Sequence, residues 1–222
     1  QNMLFSLKGK KVVVTGGNSG IGESIAELFQ SQGAEVHVID LSEPSQGANS
    51  KINYHQADIT QFEIVEQIAT RISPVDILIN NAGISMRSMF ETVDLKVLKQ
   101  VMDINFYGSL YCTTFALPHL IKSKGVAVGV SSIAGYRGLP GRSGYSASKF
   151  ALQGWLEALK TEVVDKGVHV MWVSPGFTAS NIRNVALNKQ GEAQGESPLN
   201  ENELMDASTC ANIIISAIAN RK

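Results

Sequence analysis

The sequence predicts an α/β fold of three layers, in which a doubly wound parallel sheet lies between two layers of helices. Runs rich in Val and Ile alternate along the chain with segments of helical periodicity. These runs are apolar throughout, which is typical of parallel strands that helices cover on both sides. A chain of 222 residues, 44% of them hydrophobic, fits one domain as well as two small ones. We expect a single domain over residues 1–222 with one large core.

Five runs predict strands, and five helical segments alternate with them. The strands are "KVVVT" at 11–15, "EVHVID" at 35–40, "DILIN" at 76–80, "VAVGVSS" at 126–132 and "VHVMWVS" at 168–174. The helical segments are 20–32, 61–72, 93–122, 144–166 and 207–220. Gly33 and Gly167 follow two of these segments and predict where those helices stop.

A weaker sixth strand near "INYHQ" at 52–56 completes the strand order 3-2-1-4-5-6 of a doubly wound sheet. The segment before it, 41–51, is too short and too interrupted by Pro and Gly for a good helix, so we expect an abbreviated crossover. The longest irregular segment is "NKQGEAQGESPLNEN" at 188–202, which is polar and punctuated by glycine. We expect a mobile lid or loop there, within a substrate loop over about 177–206.

Composition and charge argue against several classes of partner. The net charge is -1, which gives no reason to expect nucleic acid or an anionic membrane surface as a partner. No apolar run approaches the roughly 18 residues of a membrane span, and we see no targeting signal. Cys112 and Cys210 lie far apart in apolar helical patterns, so we expect buried thiols and a cytoplasmic protein. The four histidines are scattered singly, and we assign no metal.

The stretch "TGGNSGIG" at 15–22 lies between the first strand and the first helix. Ligands bind at this edge of a doubly wound sheet, and glycines let a pyrophosphate approach the amides at the helix N-terminus. Gly16, Gly20 and Gly22 form the pattern G-x-x-x-G-x-G, which matches a Rossmann dinucleotide fingerprint by position and not by letter. The alternative is a glycine-rich turn that only permits tight packing between the strand and the helix.

Asp40 ends the second predicted strand, 18 residues after Gly22. A carboxylate there can accept hydrogen bonds from the adenosine ribose hydroxyls and repel a 2′-phosphate. Asn18 and Ser19 put no cation in the glycine loop to meet that phosphate. The position therefore predicts NAD as cofactor, with NADP less favoured. A plain turn-forming role for Asp40 is the alternative.

Three further residues have the chemistry of an acid–base site. In "YSASK" at 145–149, Tyr145 and Lys149 are four residues apart at the start of a helix, so they share a face. Ser132 closes a predicted strand, and so it lies at the carboxyl edge of the sheet. A free phenol has a pKa of about 10, so a tyrosine base needs nearby positive charge, which Lys149 supplies. Tyr145 could then exchange a proton with an alcohol or carbonyl oxygen that Ser132 hydrogen-bonds.

Taken together, "TGGNSGIG", "NNAG" at 80–83, Asn105, Ser132, Tyr145 with Lys149, and "PG" at 175–176 resemble the short-chain dehydrogenase/reductase family in order and spacing. The resemblance spans about residues 8 to 180. It implies a catalytic tetrad of Asn105, Ser132, Tyr145 and Lys149. It also implies that Lys149 binds the nicotinamide ribose and that Asn105 holds a water that relays protons to Lys149.

The resemblance implies further cofactor contacts. Asp58-Ile59-Thr60 looks like the adenine-contact motif of the family, "NNAG" lines the cofactor, and "VSPGFT" at 173–178 resembles the segment that holds the carboxamide. The cofactor-binding residues that we expect are Gly16, Asn18, Ser19, Gly20, Ile21, Gly22, Asp40, Asp58, Ile59, Asn81, Ala82, Gly83, Tyr145, Lys149, Pro175, Gly176 and Thr178.

Two features concern assembly and completeness. The helices around 106–121 and 150–163 are too apolar for one-sided surface helices, and the corresponding helices of the family pair across a two-fold axis, so we expect a homodimer or homotetramer. Ordinary core packing is the alternative for both. The sheet of the family usually has a seventh strand, whereas this sequence ends in a predicted helix. That strand lies outside the sequence or is absent from the fold.

The function that we expect is hydride transfer between NAD and a secondary alcohol or its ketone. A catalytically idle NAD-binding sensor or scaffold is the alternative, and an epimerase of nucleotide sugars ranks last because it would need a larger carboxyl-terminal domain. The positions expected to border the substrate are Ser85, Met86, Tyr136, Phe177 and Met205. Arg87, Arg137 and Arg183 lie nearby in sequence and would meet an acidic group of the substrate, or are simply solvated. The sequence does not identify the substrate.

Overall fold

The computed structural model describes residues 6–175, 182–195, 197 and 205–221. Six strands form one parallel sheet: β1 (Lys11–Thr15), β2 (Glu35–Asp40), β3 (Asn53–Gln56), β4 (Ile77–Asn80), β5 (Val126–Val130) and β6 (His169–Val173). Their order across the sheet is β3-β2-β1-β4-β5-β6. The predicted strand order is therefore confirmed, and so is the short crossover from β2 to β3, which contains no helix.

The described residues contain six α-helices, and five of them cover the two faces of this sheet. The six helices are α1 (Gly20–Ser31), α2 (Phe62–Ile72), α3 (Leu95–Met102), α4 (Gly108–Ser123), α5 (Ser143–Val163) and α6 (Ala207–Asn220). Buried side chains of α1 and α6 pack on one face, and those of α2, α4 and α5 pack on the other. Because side chains alternate along a strand, Val12 and Val14 contribute to the first core and Val13 to the second. The predicted three-layer architecture is confirmed.

The helix predicted over 93–122 contains a π turn that periodicity did not reveal. The side chain of Asp94 caps the start of α3 by accepting from the Lys96 amide at 2.9 Å. The chain then continues through one π-helical segment, Asp103–Tyr107, and enters α4 without a break in the helix. A π turn is rare and leaves no period in the sequence, because it shifts the helix by only one residue.

The predicted lid is partly a hydrogen-bonded hairpin. Residues 184–187 pair with 193–195 through backbone hydrogen bonds, among them Gln194 N–H to the Ala186 carbonyl at 2.8 Å. The Asn188 side chain closes the turn by accepting from the Gln190 and Glu192 amides. The hairpin also joins residues 85–94, since the Leu187 amide donates to the Ser85 carbonyl at 2.9 Å. Residues 188–195 of the predicted irregular segment therefore form a loop whose shape is set by backbone hydrogen bonds.

The cysteines are buried as predicted, whereas the histidines are not all single. Cys112 and Cys210 are buried thiols, and burial raises the pKa of Cys112 to about 12. Two of the histidines are not single: His37 Nδ1 and His55 Nε2, on neighbouring strands, lie 2.9 Å apart. Within the described ranges, no three His, Cys, Asp or Glu side chains are grouped to hold a metal ion. No helix in those ranges is long and apolar enough to cross a membrane.

Candidate active site at the carboxyl edge of the sheet

The glycine loop after β1 packs tightly against the end of β4. Gly16 has a φ of +67°, and a Cβ there would lie 2.8 Å from the Cα of Ala82. A Cβ on Gly22 would collide with Nδ2 of Asn81 and with the Gly16 carbonyl oxygen. Both glycines are therefore required by the protein's own packing, and Gly20, with a φ of +58°, is required by the turn. Packing and ligand binding are compatible roles for this loop.

Hydrogen bonds join the glycine loop to the segment "NNAG". The Thr15 hydroxyl accepts from the amides of Asn81 at 3.1 Å and Ala82 at 2.9 Å. Asn81 Nδ2 donates to the Gly16 carbonyl at 3.0 Å. These contacts fix the ends of β1 and β4 side by side, at the edge of the sheet where ligands of doubly wound folds bind.

The Asp40 carboxylate ties the end of β2 to the glycine loop. Its Oδ2 accepts from the Asn18 amide at 3.0 Å, and its Oδ1 accepts from the amide and hydroxyl of Ser42 at 3.0 and 2.9 Å. Asn18 Oδ1 is buried and has no donor among the described residues. A buried acceptor of this kind, beside a carboxylate and a glycine loop, fits a ligand that carries hydroxyl donors.

Asp58 and Thr60 form a turn after β3. Asp58 Oδ1 accepts from the Thr60 amide at 2.9 Å and from the Thr60 hydroxyl at 2.7 Å. Ile59 between them is buried, and a Cβ on Gly108 would meet its Cδ1 at 2.6 Å. The turn is thus fixed against the start of α4, which places it next to β3 at the same edge of the sheet.

Lys149 lies buried beside Tyr145. Only 5% of Lys149 is exposed, and its Nζ donates to the Val130 carbonyl at 3.0 Å, at the end of β5. The same Nζ lies 5.6 Å from the centroid of the Tyr145 ring, which is half-buried. The predicted spacing of four residues on α5 therefore brings the ammonium and the phenol together.

Asn105, in the π turn, is fixed on both sides. Its Oδ1 accepts from the Ile84 amide at 2.8 Å, while its Nδ2 donates to the Ile84 carbonyl at 2.9 Å and to the Ser148 hydroxyl at 3.0 Å. A Cβ on Gly83 would lie 3.3 Å from Asn105 Oδ1 and 3.6 Å from Lys149 Nζ. Asn105 and Lys149 therefore flank the same small space beside "NNAG".

Ser132 follows β5 by two residues and is half-buried. Its Oγ accepts from the Ala134 amide at 3.0 Å and so caps the short 3-10 helix Ile133–Gly135. The preceding Ser131 is buried and donates to Gln153 Oε1 at 2.5 Å. Ser132, and not Ser131, is thus the serine with an accessible hydroxyl at this end of β5.

The residues expected to border the substrate divide into three groups. Ser85 is buried beside the site, whereas Met86 is fully buried and packs against Val97 and Leu187, so Met86 belongs to the core. Tyr136 and Met205 are 55% and 40% exposed. Phe177 lies outside the described residues.

The cofactor-binding positions predicted after β6 are described only in part. Pro175 is half-buried, and Gly176 and Thr178 lie outside the described residues.

Sequence reasoning missed Arg142, which precedes α5. The guanidinium carbon lies 5.4 Å from the Tyr145 ring centroid, and Nη1 donates to the Ser85 hydroxyl at 2.6 Å. Burial lowers the pKa of Arg142, and charge repulsion from Arg87 and Arg183 lowers it further. The signal was available, since a spacing of three residues puts Arg142 next to Tyr145 at the start of a helix.

Comparison with known proteins shows which proteins this chain resembles in sequence and fold. The sequence profile of the short chain dehydrogenase family matches residues 10–191. Dehydrogenase/reductase SDR family member 7B of Rattus norvegicus is 32% identical over 97% of this chain and 72% of that protein. 11-beta-hydroxysteroid dehydrogenase A of Arachis hypogaea is 33% identical over 96% of this chain and 66% of that protein. A short chain dehydrogenase of Burkholderia cenocepacia, solved in complex with NADP, superposes with a TM-score of 0.81 at 25% identity, over 96% of this chain and 85% of the other.

Proposed function

Because the chain belongs to the short-chain dehydrogenase/reductase family of oxidoreductases, we propose that it transfers a hydride between NAD and a secondary alcohol or its ketone. The observation that carries this proposal is the buried ammonium of Lys149, 5.6 Å from the Tyr145 ring. A buried lysine is costly unless its charge is used, and this one lies beside a phenol at the ligand-binding edge of the sheet.

The residues at that edge fit a nicotinamide dinucleotide. The glycine loop offers amides at the start of α1, and Asn18 Oδ1 offers a buried acceptor. Asp40, at the end of β2, supports NAD over NADP. When bound, the dinucleotide supplies the ring that accepts or donates the hydride. The residues that would hold it are Gly16, Asn18, Ser19, Gly20, Ile21, Gly22, Asp40, Asp58, Ile59, Asn81, Ala82, Gly83, Tyr145, Lys149, Pro175, Gly176 and Thr178.

The acid–base chemistry belongs to Tyr145. Its hydroxyl takes the proton of an alcohol during oxidation, or returns a proton to the carbonyl oxygen during reduction. Lys149, held by the Val130 carbonyl, stabilises the negative charge that develops on the tyrosine oxygen. Ser132 orients the reacting oxygen of the substrate. Asn105 positions the backbone of Ile84 through two hydrogen bonds. It also borders the space beside Lys149 in which a water would relay protons.

The test is a screen of alcohols and ketones that follows NADH absorbance, with Tyr145→Phe as the variant and Tyr54→Phe, on β3, as a matched control. We expect turnover by the wild type and by Tyr54→Phe, and none by Tyr145→Phe, while Tyr145→Phe binds NADH about as tightly as the wild type. Retained turnover in Tyr145→Phe would overturn the assignment of the base. A wild type that binds NADH and turns over no compound of the panel would favour the idle sensor.

We also propose that the protein is a homodimer or homotetramer. Tyr107 and Phe150, near the starts of α4 and α5, are 43% and 47% exposed, and Phe62 contacts Tyr111 and Phe115 on the surface of α4. Apolar area of this kind is typical of helices that pair across a two-fold axis. Light scattering on a sizing column tests the proposal, and a monomer at micromolar concentration would contradict it.

A further inference from the structure

Ser148 joins two members of the predicted tetrad through one hydroxyl group. Its Oγ accepts from Asn105 Nδ2 at 3.0 Å and donates to the Tyr145 carbonyl at 2.7 Å. Asn105 lies in the π turn and Ser148 in α5, so the hydroxyl connects two helical segments that are 43 residues apart in the chain. Sequence reasoning did not single out Ser148, although it lies within "YSASK" at 145–149.

The available donors fix the direction of both hydrogen bonds. A hydroxyl has one proton, and the proton of Ser148 goes to the Tyr145 carbonyl, which can only accept. The Ser148 oxygen therefore accepts from Asn105, and this turns the Nδ2 end of the Asn105 amide toward α5. The oxygen of the same amide accepts from the Ile84 N–H at 2.8 Å. Ser148 and Ile84 thus specify one and the same orientation of Asn105.

Burial makes the Ser148 hydroxyl hard to replace. Ser148 and Asn105 are both buried, so water cannot take the place of either partner without a rearrangement of the chain. A buried hydroxyl costs free energy of folding unless it is paired, and alanine is the better helix former. A serine at this position is therefore explained by the hydrogen bonds that it forms and not by the helix that contains it.

The Tyr145 carbonyl is the point at which Ser148 acts on α5. In an α-helix this carbonyl faces the amide of Lys149, four residues later, and a side-chain bond from serine to the preceding turn often bends the helix. A Cβ on Gly83 would lie 3.6 Å from Lys149 Nζ and 3.3 Å from Asn105 Oδ1. The hydroxyl therefore acts on the turn that separates the phenol from the ammonium, and it ties that turn to Asn105.

We propose that Ser148 is a positioning residue of the active site, which holds the side-chain amide of Asn105 against the turn of α5 that contains Tyr145 and Lys149. Ser148 acts through Asn105 and touches neither substrate nor cofactor. This inference rests on the proposed function, since it concerns the rate of hydride transfer. Loss of the hydroxyl should release the Asn105 amide, so that the tetrad spends less time in its productive arrangement.

The first comparison is between Ser148→Ala and Ser146→Ala. Ser146 is the matched control, because it is a buried serine of the same helix whose hydroxyl accepts from the Leu139 amide at 3.2 Å. We expect Ser148→Ala to lower kcat about 10-fold and to bind NADH about as tightly as the wild type, whereas Ser146→Ala should keep kcat within about twofold. Equal values of kcat in the two variants would overturn the inference.

A second variant separates hydrogen bonding from side-chain volume. Ser148→Cys keeps nearly the shape of serine, but a thiol is a weak donor and a weak acceptor. We expect kcat to fall about as far as in Ser148→Ala. Wild-type kcat in Ser148→Cys would mean that the site needs only the volume of the side chain, and this result would contradict the proposal. Melting temperatures of all variants show whether each is folded.

A double-mutant cycle with Asn105→Ala tests whether Ser148 acts through Asn105. If it does, Ser148→Ala should change kcat by less than about twofold in the Asn105→Ala background, compared with about 10-fold in the otherwise wild-type chain. Effects of the two substitutions that simply multiply would mean that Ser148 contributes to the fold independently of Asn105, and would overturn the proposal.

Hydrogen exchange gives a readout that needs no turnover. Asn105 Oδ1 holds the Ile84 amide, so exchange of this amide with deuterium should become about 3- to 10-fold faster in Ser148→Ala and stay unchanged in Ser146→Ala. In the Asn105→Ala background, Ser148→Ala should have no further effect on it. Unchanged exchange at Ile84 in Ser148→Ala would reject the coupling. Absence of all turnover by the wild type counts against the proposed function, and the exchange of Ile84 then decides the inference alone.

Discussion

Asn105 and Ile84 form two reciprocal hydrogen bonds, in which the side-chain amide of Asn105 accepts from the Ile84 amide at 2.8 Å and donates to the Ile84 carbonyl at 2.9 Å. The π turn supplies one partner and the segment after β4 supplies the other. Because Asn105 is 1% exposed, water cannot replace either bond without a rearrangement. The pair therefore fixes the loop that contains "NNAG" against the helix that faces Lys149.

Loss of this pair should weaken both the fold and the chemistry. We expect Asn105→Ala to lower the free energy of unfolding by about 1–3 kcal/mol, because it leaves a partly buried amide and carbonyl of Ile84 without these partners. We expect kcat to fall as well. Urea denaturation and steady-state kinetics measure the two effects. Asn212→Ala is the control, because it removes one exposed side-chain hydrogen bond on α6. It should change the free energy of unfolding and kcat much less than Asn105→Ala does.

Substitution of Gly22 should distort the glycine loop. A Cβ there would collide with Asn81 Nδ2 and the Gly16 carbonyl, so Gly22→Ala should cost about 1–3 kcal/mol of stability and weaken NADH binding. Gly154→Ala is the matched control, since a Cβ at Gly154 meets nothing within 4 Å and should gain about 0.5–1 kcal/mol within α5. NADH titration measures the affinity of each variant for the cofactor. Equal affinities of Gly22→Ala and Gly154→Ala for NADH would contradict the prediction.

Cofactor preference should depend on Asp40. We expect Asp40→Ala to narrow the preference for NAD over NADP, because it removes the charge that repels a 2′-phosphate. The carboxylate also holds the amides of Asn18 and Ser42, so the variant will lose some affinity for both cofactors. Ser42→Ala is the control, because it removes one hydrogen bond to the Asp40 carboxylate and keeps the charge of that carboxylate. A wild type that already prefers NADP, or an unchanged ratio in Asp40→Ala, would contradict the assignment.

Stability should fall below neutral pH because of the His37–His55 pair. Burial lowers the pKa of His37 below its ordinary 6.5, despite the opposing charge of Glu35. Burial likewise lowers the pKa of His55, as do the charges of His37 and Arg71. Between the lowered pKa values and 6.5 the unfolded chain binds more protons, so this contribution to stability is complete above pH 6.5 and is lost as the pH falls through that window.

Urea denaturation at pH 7.5 and pH 5.5 measures this loss. We expect His55→Gln to reduce it, because the substitution removes one histidine and the charge that opposes protonation of the other. Gln56→Ala, on the same edge strand, removes no titratable group and should keep the wild-type dependence. The same pH dependence in His55→Gln and the wild type would refute the assignment to this pair.

The features that the sequence revealed are those encoded by local pattern. Apolar runs and turn signals predicted the six strands and their order, and the spacing of Tyr145 and Lys149 predicted their contact on α5. Family resemblance placed Asn105 at the site. Its partner Ile84 could not be predicted, because that contact depends on a π turn that leaves no period in the sequence.

The features that were missed depend on contacts between distant segments. The pairing of His37 with His55 follows from the register of β2 against β3. The hairpin 184–195 attaches to residues 85–87, and glycines 191 and 195 at positive φ permit its turns. Polar composition at 188–195 predicted a loop correctly, but not the backbone pairing that shapes it.

The π turn sets the rotational phase between α3 and α4. Buried residues of α3 recur at Val97 and Val101, and those of α4 at Cys112, Ala116 and Leu120. One residue fewer between the two groups would turn every later side chain by roughly 100° about the helix axis. A substitution of Asn105 removes the contacts of one side chain, whereas a deletion there would rotate Cys112, Ala116 and Leu120 out of the core.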